Sequence, residues 1–314
     1  FASYQLLEPY SIFRELHINT NQWKIWDYAG TSMVTGGNIN MNLTFKNYWG
    51  LGYGVNANSS SLSKTALRGG PYLRSPASLN YWWYAHTDHR KDFRFNFGSS
   101  QSWNKYGHSH HINFWTNFSY RPHSTMDISI NPYYTVSENN LQYVSTEEFG
   151  QENHYIMGAI ERNTLGISLR LNLSLTPDLS IQYWGQPFIA NGDYTDFKRI
   201  TDSKADNYED RFQTFTGNEI TYQEDDELYE IDADRDGNTD YSISNPNFKV
   251  FQFKSNLVAR WEYIPGSTLF MVWSQNRDDY ITDGPFQFKQ DFKNLYDIFP
   301  HNVFLVKLTY RLGL

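Results

Sequence analysis

Leu165-Gly166-Ile167-Ser168-Leu169-Arg170-Leu171-Asn172-Leu173-Ser174-Leu175 decides the fold. Apolar residues hold every second position, and Gly, Ser, Arg and Asn fill the positions between. Successive side chains of a strand point to opposite sides, so the stretch has one wholly apolar face and one hydrated face. Extended at about 3.3 Å per residue it reaches roughly 36 Å, enough to cross a hydrocarbon core at a tilt.

The pattern recurs along the chain. Ile39, Met41, Leu43 and Phe45 alternate with Asn38, Asn40, Asn42 and Thr44. Phe93, Phe95 and Phe97 alternate with Arg94 and Asn96, and Met126, Ile128 and Ile130 with Asp127, Ser129 and Asn131. Ile112, Phe114, Phe118 and Tyr120 oppose Asn113, Asn117 and Ser119. Phe251, Phe253, Leu257, Trp261 and Tyr263 oppose Gln252, Lys254, Asn256, Arg260 and Glu262. The last strand is expected to run to Leu314, with Phe304, Val306, Leu308, Tyr310, Leu312 and Leu314 against Lys307, Thr309 and Arg311.

A soluble sheet with one wet face also alternates. These runs, however, are about twice the usual strand length, and their polar faces carry Arg, Lys and Glu in mid-strand. The expected fold is all-β: a transmembrane antiparallel up-and-down β-barrel of about 14 strands, with 16 as the alternative, since bacterial barrels close on even numbers. Residues 1–314 form one domain. Thr176-Pro177-Asp178, Ile264-Pro265-Gly266-Ser267 and Arg121-Pro122-His123-Ser124 are short turns, and the long links are outer loops. Three segments are expected to lie outside the strands: residues 58–76, an acidic insertion at about 192–247, and residues 284–300, where Phe292, Leu295, Tyr296 and Ile298 suggest a short helix.

Composition agrees. The chain holds 24 Tyr, 22 Phe and 10 Trp, rings that form belts at the two bilayer interfaces. It has no cysteine, hence no disulfide framework or thiolate chemistry. A net charge of -8 argues against nucleic acid as a partner. No apolar run is long enough for a transmembrane helix. The opening Phe1-Ala2-Ser3 without Met is expected of a processed product or a fragment.

Several stretches resemble a known family. They are Leu67-Arg68-Gly69-Gly70-Pro71, the strand-turn-strand from Leu169 to Phe188, Trp261-Glu262-Tyr263-Ile264-Pro265-Gly266-Ser267, and Asn302-Val303-Phe304-Leu305-Val306-Lys307-Leu308-Thr309-Tyr310. Together they are similar to the C-terminal barrel of Bacteroidota outer-membrane proteins that carry an N-terminal family-9-like carbohydrate-binding domain. The resemblance implies a Gram-negative outer membrane, with lipid and lipopolysaccharide around the chain and outer-membrane proteins and glycans as expected partners. The family's N-terminal domain is absent here, so an enzymatic activity is not carried over. The expected function is a pore, or an anchor or scaffold for a periplasmic or surface domain or complex. The alternative is a component of a carbohydrate-binding or glycoside-hydrolysing outer-membrane protein whose active or binding domain is missing here.

Asp232, Asp234, Asp236, Asn238 and Asp240 reproduce the start of a calcium loop, with Gly237 at the turn. Position 12 is Ile243, so a further ligand must come from elsewhere, with Glu224, Asp225, Asp226, Glu227 and Glu230 nearby. Ca²⁺ is the one expected cofactor, and a solvated acidic loop is the plain alternative. Arg94, Asp127, Arg170, Lys254, Arg260, Glu262, Lys307 and Arg311 are expected to face the lumen, as channel lining or as salt-bridged filling. His108, His110 and His111 are read as interfacial or loop residues, with a metal site as the lesser reading. Ser102 or Ser109 beside them would be the only local start of a hydrolase. Trp82, Trp83 and Tyr84 are assigned to the interfacial belt, with sugar stacking as the alternative.

Overall fold

A computed structural model describes residues 1–282 and 284–312. Thirteen strands follow one another across a single sheet in chain order. They are β1 (Ala2–Leu6), β2 (Phe13–Trp26), β3 (Ser32–Phe45), β4 (Gly50–Asn58), β5 (Ser78–His86), β6 (Phe93–Asn104) and β7 (Ser109–His123). Then come β8 (Met126–Phe149), β9 (Glu152–Thr176), β10 (Leu179–Ile200), β11 (Phe248–Ile264), β12 (Ser267–Ile281) and β13 (His301–Thr309). A three-residue strand, Phe212–Thr214, adds to the upper end of β10 and makes the sheet 14-stranded. Every pairing along the row is antiparallel, and β1 and β13 are its edges.

Antiparallel order sorts the links between two ends. The turns at 124–125, 177–178 and 265–266 lie at one end, while residues 59–77, 201–247 and 284–300 lie at the other. The turns have local causes: Asp178 N donates to Thr176 Oγ1 at 3.2 Å, and Gly266, at φ +81°, donates its N–H to Glu262 Oε1 at 2.9 Å. Strands β8, β9 and β10 run 24, 25 and 22 residues. At about 3.3 Å per residue the longest reaches roughly 80 Å, far beyond a bilayer core.

Register keeps the two faces separate. Phe118, Ile130 and Leu169 stand side by side, as do Phe114, Tyr134, Leu165, Ile189 and Phe251 two levels higher. Over most of the sheet nothing covers this apolar face: Leu175 is 54% exposed, Leu308 65% and Phe304 74%. Among the described residues, clusters of buried apolar side chains gather toward the long-link end. One gathers Ile156, Phe197, Phe215, Ile231 and Ile243, and another gathers Leu67, Leu73 and Met157. In the third, helix α1 (Phe288–Asp297) lays Leu295 on Ile189 and Phe251.

Three expectations about the strands need correction. Residues 192–200 belong to β10, held by pairs such as Ile160–Tyr194 and Met157–Lys198. The rest of the acidic insertion is folded, with a three-stranded sheet of Ile220–Gln223, Leu228–Ile231 and Tyr241–Ser244. Residues 58–76 contain a short pair, Ser61–Ser63 with Leu73–Ser75. At the C-terminus β13 ends at Thr309, and the expected end of the strand at Leu314 lies outside the described residues. The short helix is where the spacing places it.

Candidate functional site in the polar face of the wall

The polar face is built from amides, hydroxyls and rings lying against glycines. Asn21 Nδ2 donates to Asn38 Oδ1 at 2.7 Å, Asn56 Nδ2 to Asn80 Oδ1 at 2.9 Å and Asn113 Nδ2 to Thr135 Oγ1 at 2.7 Å. Asn117 donates to Asn131, and Tyr84 OH to Asn42 Oδ1 at 2.8 Å. Gly54 faces Trp82: a Cβ there would sit 2.5 Å from the indole. Gly52 lies under Tyr84, Gly98 under Trp115 and Gly166 under Tyr133. The Trp82 and Tyr84 ring planes are nearly parallel, 4° apart with centroids at 5.9 Å. Trp83 is on the other face, edge-on to Phe97.

Charges collect toward the short-turn end of this face. Asp127 meets Arg94 at 3.4 Å and Arg121 at 3.3 Å, and Arg260 meets Glu262 at 2.8 Å. Arg170, Lys254 and Lys307 share the face by register, opposite Ser129, Gln186 and Phe270. Arg311 does not join them: it follows the end of β13, and its backbone N–H donates to Ser267 Oγ at 2.9 Å.

At the long-link end two cavities of about 360 and 510 Å³ adjoin, sharing Ser78, Asn104, Ser109, Asn139 and Gln142. The folded loops form their rim. Buried Arg211 ties two loops together, donating to the carbonyls of Arg74, Ala205 and Asp206 at 2.9–3.0 Å. A model of the family described as a domain of unknown function, DUF5916, matches residues 1–313. The chain belongs to the DUF5916 family. No curated protein and no solved structure matches it.

In this DUF5916 chain Asp232, Asp234 and Asp240 each place one carboxylate oxygen within 4.8 Å of the other two. Asp236 and Asn238 lie outside that trio and bond to each other, Asn238 N to Asp236 Oδ1 at 2.8 Å. Asp232 accepts the N–H groups of Arg235 at 2.7 Å and Gly237 at 2.9 Å, and Asp240 accepts that of Ala233 at 2.7 Å. Ile243, at position 12, is buried in the loop core. Among the described residues none of Glu224, Asp225, Asp226, Glu227 or Glu230 completes the trio.

The histidines disperse. His110 Nδ1 lies 3.1 Å from Glu138, while His108, in the turn before β7, stacks on Tyr208 and approaches Glu209 at 3.8 Å. Among the described residues no hydrogen bond joins Ser102 or Ser109 to a histidine; Ser109 Oγ accepts from Asn140 N at 3.1 Å. Sequence reading passed over the flat placement of Trp82 and Tyr84. The signal was present in Gly50-Leu51-Gly52-Tyr53-Gly54, whose alternate glycines leave one face of β4 bare for the rings of the next strand.

The DUF5916 loop also contains a titratable contact. Near the tip of β9, His154 Nδ1 sits 3.1 Å from Tyr241 OH and Nε2 3.2 Å from Arg199. Burial, then the Arg199 charge, lowers the His154 pKa, and burial pushes Tyr241 up to about 12. The folded chain therefore favours neutral imidazole. That stabilisation is complete above the free value of about 6.5 and is lost as pH falls through the lowered value. Acidification from about pH 7.5 to about pH 5 should lower the protection factors of the Tyr241–Ser244 amides, after correction for the intrinsic pH dependence of exchange, and His154→Gln should flatten that change. An unchanged pH profile in the variant would rule out His154 as the source.

Proposed function

We propose that the chain is the wall of an outer-membrane β-barrel that acts as a pore. The observation carrying this reading is the uncovered apolar face, which runs through the paired strands while the opposite face stays hydrated. In water such a surface far exceeds what soluble monomers expose and would drive aggregation. In lipid it needs no cover, and an antiparallel wall closed on itself would satisfy its own backbone groups. No described helix is long and apolar enough to cross a membrane, and strands of this length need none. The test is single-channel recording on purified protein in planar bilayers, alongside gel mobility with and without boiling. Heat-modifiable protein with stepwise conductance supports the pore. Heat-modifiable protein that never conducts leaves an anchor or scaffold instead. Protein that stays soluble without detergent sinks the membrane reading itself.

The converging carboxylates of Asp232, Asp234 and Asp240, on a sequence with calcium-loop spacing, favour a second and smaller reading. Ca²⁺ would hold the folded acidic loop at the mouth, where its charges otherwise repel. Calcium should then slow proteolysis of residues 224–240, and Asp232→Ala or Asp240→Ala should remove that protection. Equal cleavage with calcium and with chelator would exclude the site.

A further inference from the structure

We propose that the polar face binds neutral polyhydroxylated chains, oligosaccharides without charged groups, along a track of flat aromatic rings. This rests on the reading of that face as the lining of a lumen. Four rings share two adjoining levels of the wall. Tyr84 pairs with Gly98, Gly98 with Trp115, Trp115 with Tyr133, and Tyr133 with Gly166. Trp82 lies two residues from Tyr84, stacked beside it.

The glycines decide what the rings present. With no Cβ beneath it, each ring can settle against the backbone of the neighbouring strand, over Gly54, Gly52, Gly98 and Gly166. From β5 to β9 the track spans about 19 Å at 4.8 Å per strand, the scale of a few sugar rings. The C–H face of a pyranose packs against such a ring as apolar surface does.

The surroundings select against other ligands. Asn42 lies level with Tyr84, Asn113 and Thr135 lie on one side of the rings, and Asn96, Asn117 and Asn131 lie on the other. An amide side chain both donates and accepts, as a sugar hydroxyl does. The charged residues Arg94, Asp127 and Arg170 lie further toward the short-turn end. These amide and hydroxyl neighbours carry no formal charge to pair with an anionic ligand, and a wholly apolar one would use none of their donors and acceptors. The cavities at the long-link end, lined by Ser78, Asn104, Ser109, Asn139 and Gln142, supply a hydroxyl- and amide-lined way in.

The experiment titrates detergent-folded protein with maltohexaose, cellohexaose, laminarihexaose, xylohexaose and chitohexaose, with hexagalacturonate as the anionic control. Tryptophan fluorescence reads binding, and current block in bilayers reads occupation of the lumen. At least one neutral chain should quench and block, and hexagalacturonate should bind more weakly. Trp82→Ala should weaken binding about tenfold or more, and Trp82→Phe, which keeps a ring over Gly54, by less. Trp83→Phe, on the opposite face, should leave affinity unchanged. If Trp82→Ala does not fold, Trp115→Phe replaces it and should lower affinity with heat-modifiability intact. Folded, membrane-inserted protein that binds none of the neutral chains up to about 10 mM overturns the track and spares the barrel, as does binding indifferent to both ring variants. Failure to insert overturns the barrel reading, while fluorescence binding in detergent still judges the track.

Discussion

Leu169→Arg should abolish or sharply reduce membrane insertion, while Asn172→Arg, three residues along the same strand, should insert normally. Leu169 sits in the apolar face between Ile130 and Gly185. In lipid an Arg there places a charge near mid-core, at a cost of about 2–4 kcal/mol. Asn172 is on the polar face opposite Asp127, so a new guanidinium there meets water and a carboxylate. The pair of variants separates a membrane wall from a soluble sheet. On a soluble sheet both positions are surface sites, and both substitutions should change stability by less than about 0.5 kcal/mol. The measurement is the fraction of protein reaching the heat-modifiable form in lipid vesicles. Equal fractions for the two variants would overturn the assignment of the faces.

The second large effect is expected at the buried ion pair that docks α1. Lys249 Nζ lies 2.6 Å from Asp291 Oδ1, with side chains 6% and 1% exposed, and also donates to Pro285 O at 2.8 Å. Asp291 in addition accepts the backbone N–H of Gln287 at 2.7 Å. Asp291→Leu leaves an ammonium buried beside Phe251 without its counter-ion, a loss of about 3–5 kcal/mol. Because α1 is a separate covering element, the loss should appear locally: the helix should release from the wall and become open to protease, with insertion unaffected. Lys249→Met combined with Asp291→Leu removes both charges and should restore most of the protection. A double variant as labile as the single one would show that the pair does more than neutralise itself.

The wall was legible in the sequence wherever alternation is unbroken, as from Leu165 to Leu175 and from Phe251 to Tyr263. It was less legible where irregular pairing breaks the period. Register shifts at Asn139/Gln142 and Tyr143/Ser145 of β8 and at Met157/Ala159 of β9 break the pattern at the upper ends. There Gly192-Asp193-Tyr194-Thr195-Asp196 resembles a loop until its partner strand is known. The small sheet of the acidic insertion was hidden because four-residue strands are too short to show a period. The placement of the charges from Arg94 to Lys307 on one polar face followed directly from strand parity. Arg311 did not, since the strand carrying it ends two residues earlier. The flat rings were missed for a different reason: Trp82 and Trp83 look alike in sequence, and only the glycines of the neighbouring strand show which one lies on the wet side.

The row of thirteen antiparallel strands has a consequence at its free edges. Directions alternate along the row, so β1 and β13 point the same way. Joined to each other, they would form a parallel seam, with slanted hydrogen bonds and a weaker grip per residue than every other contact in the wall. A ring with antiparallel contacts throughout needs an even count, as bacterial barrels have. Closure of a row with this odd count would therefore take one of two forms, one with a single seam of the other polarity and one with a further strand between the edges.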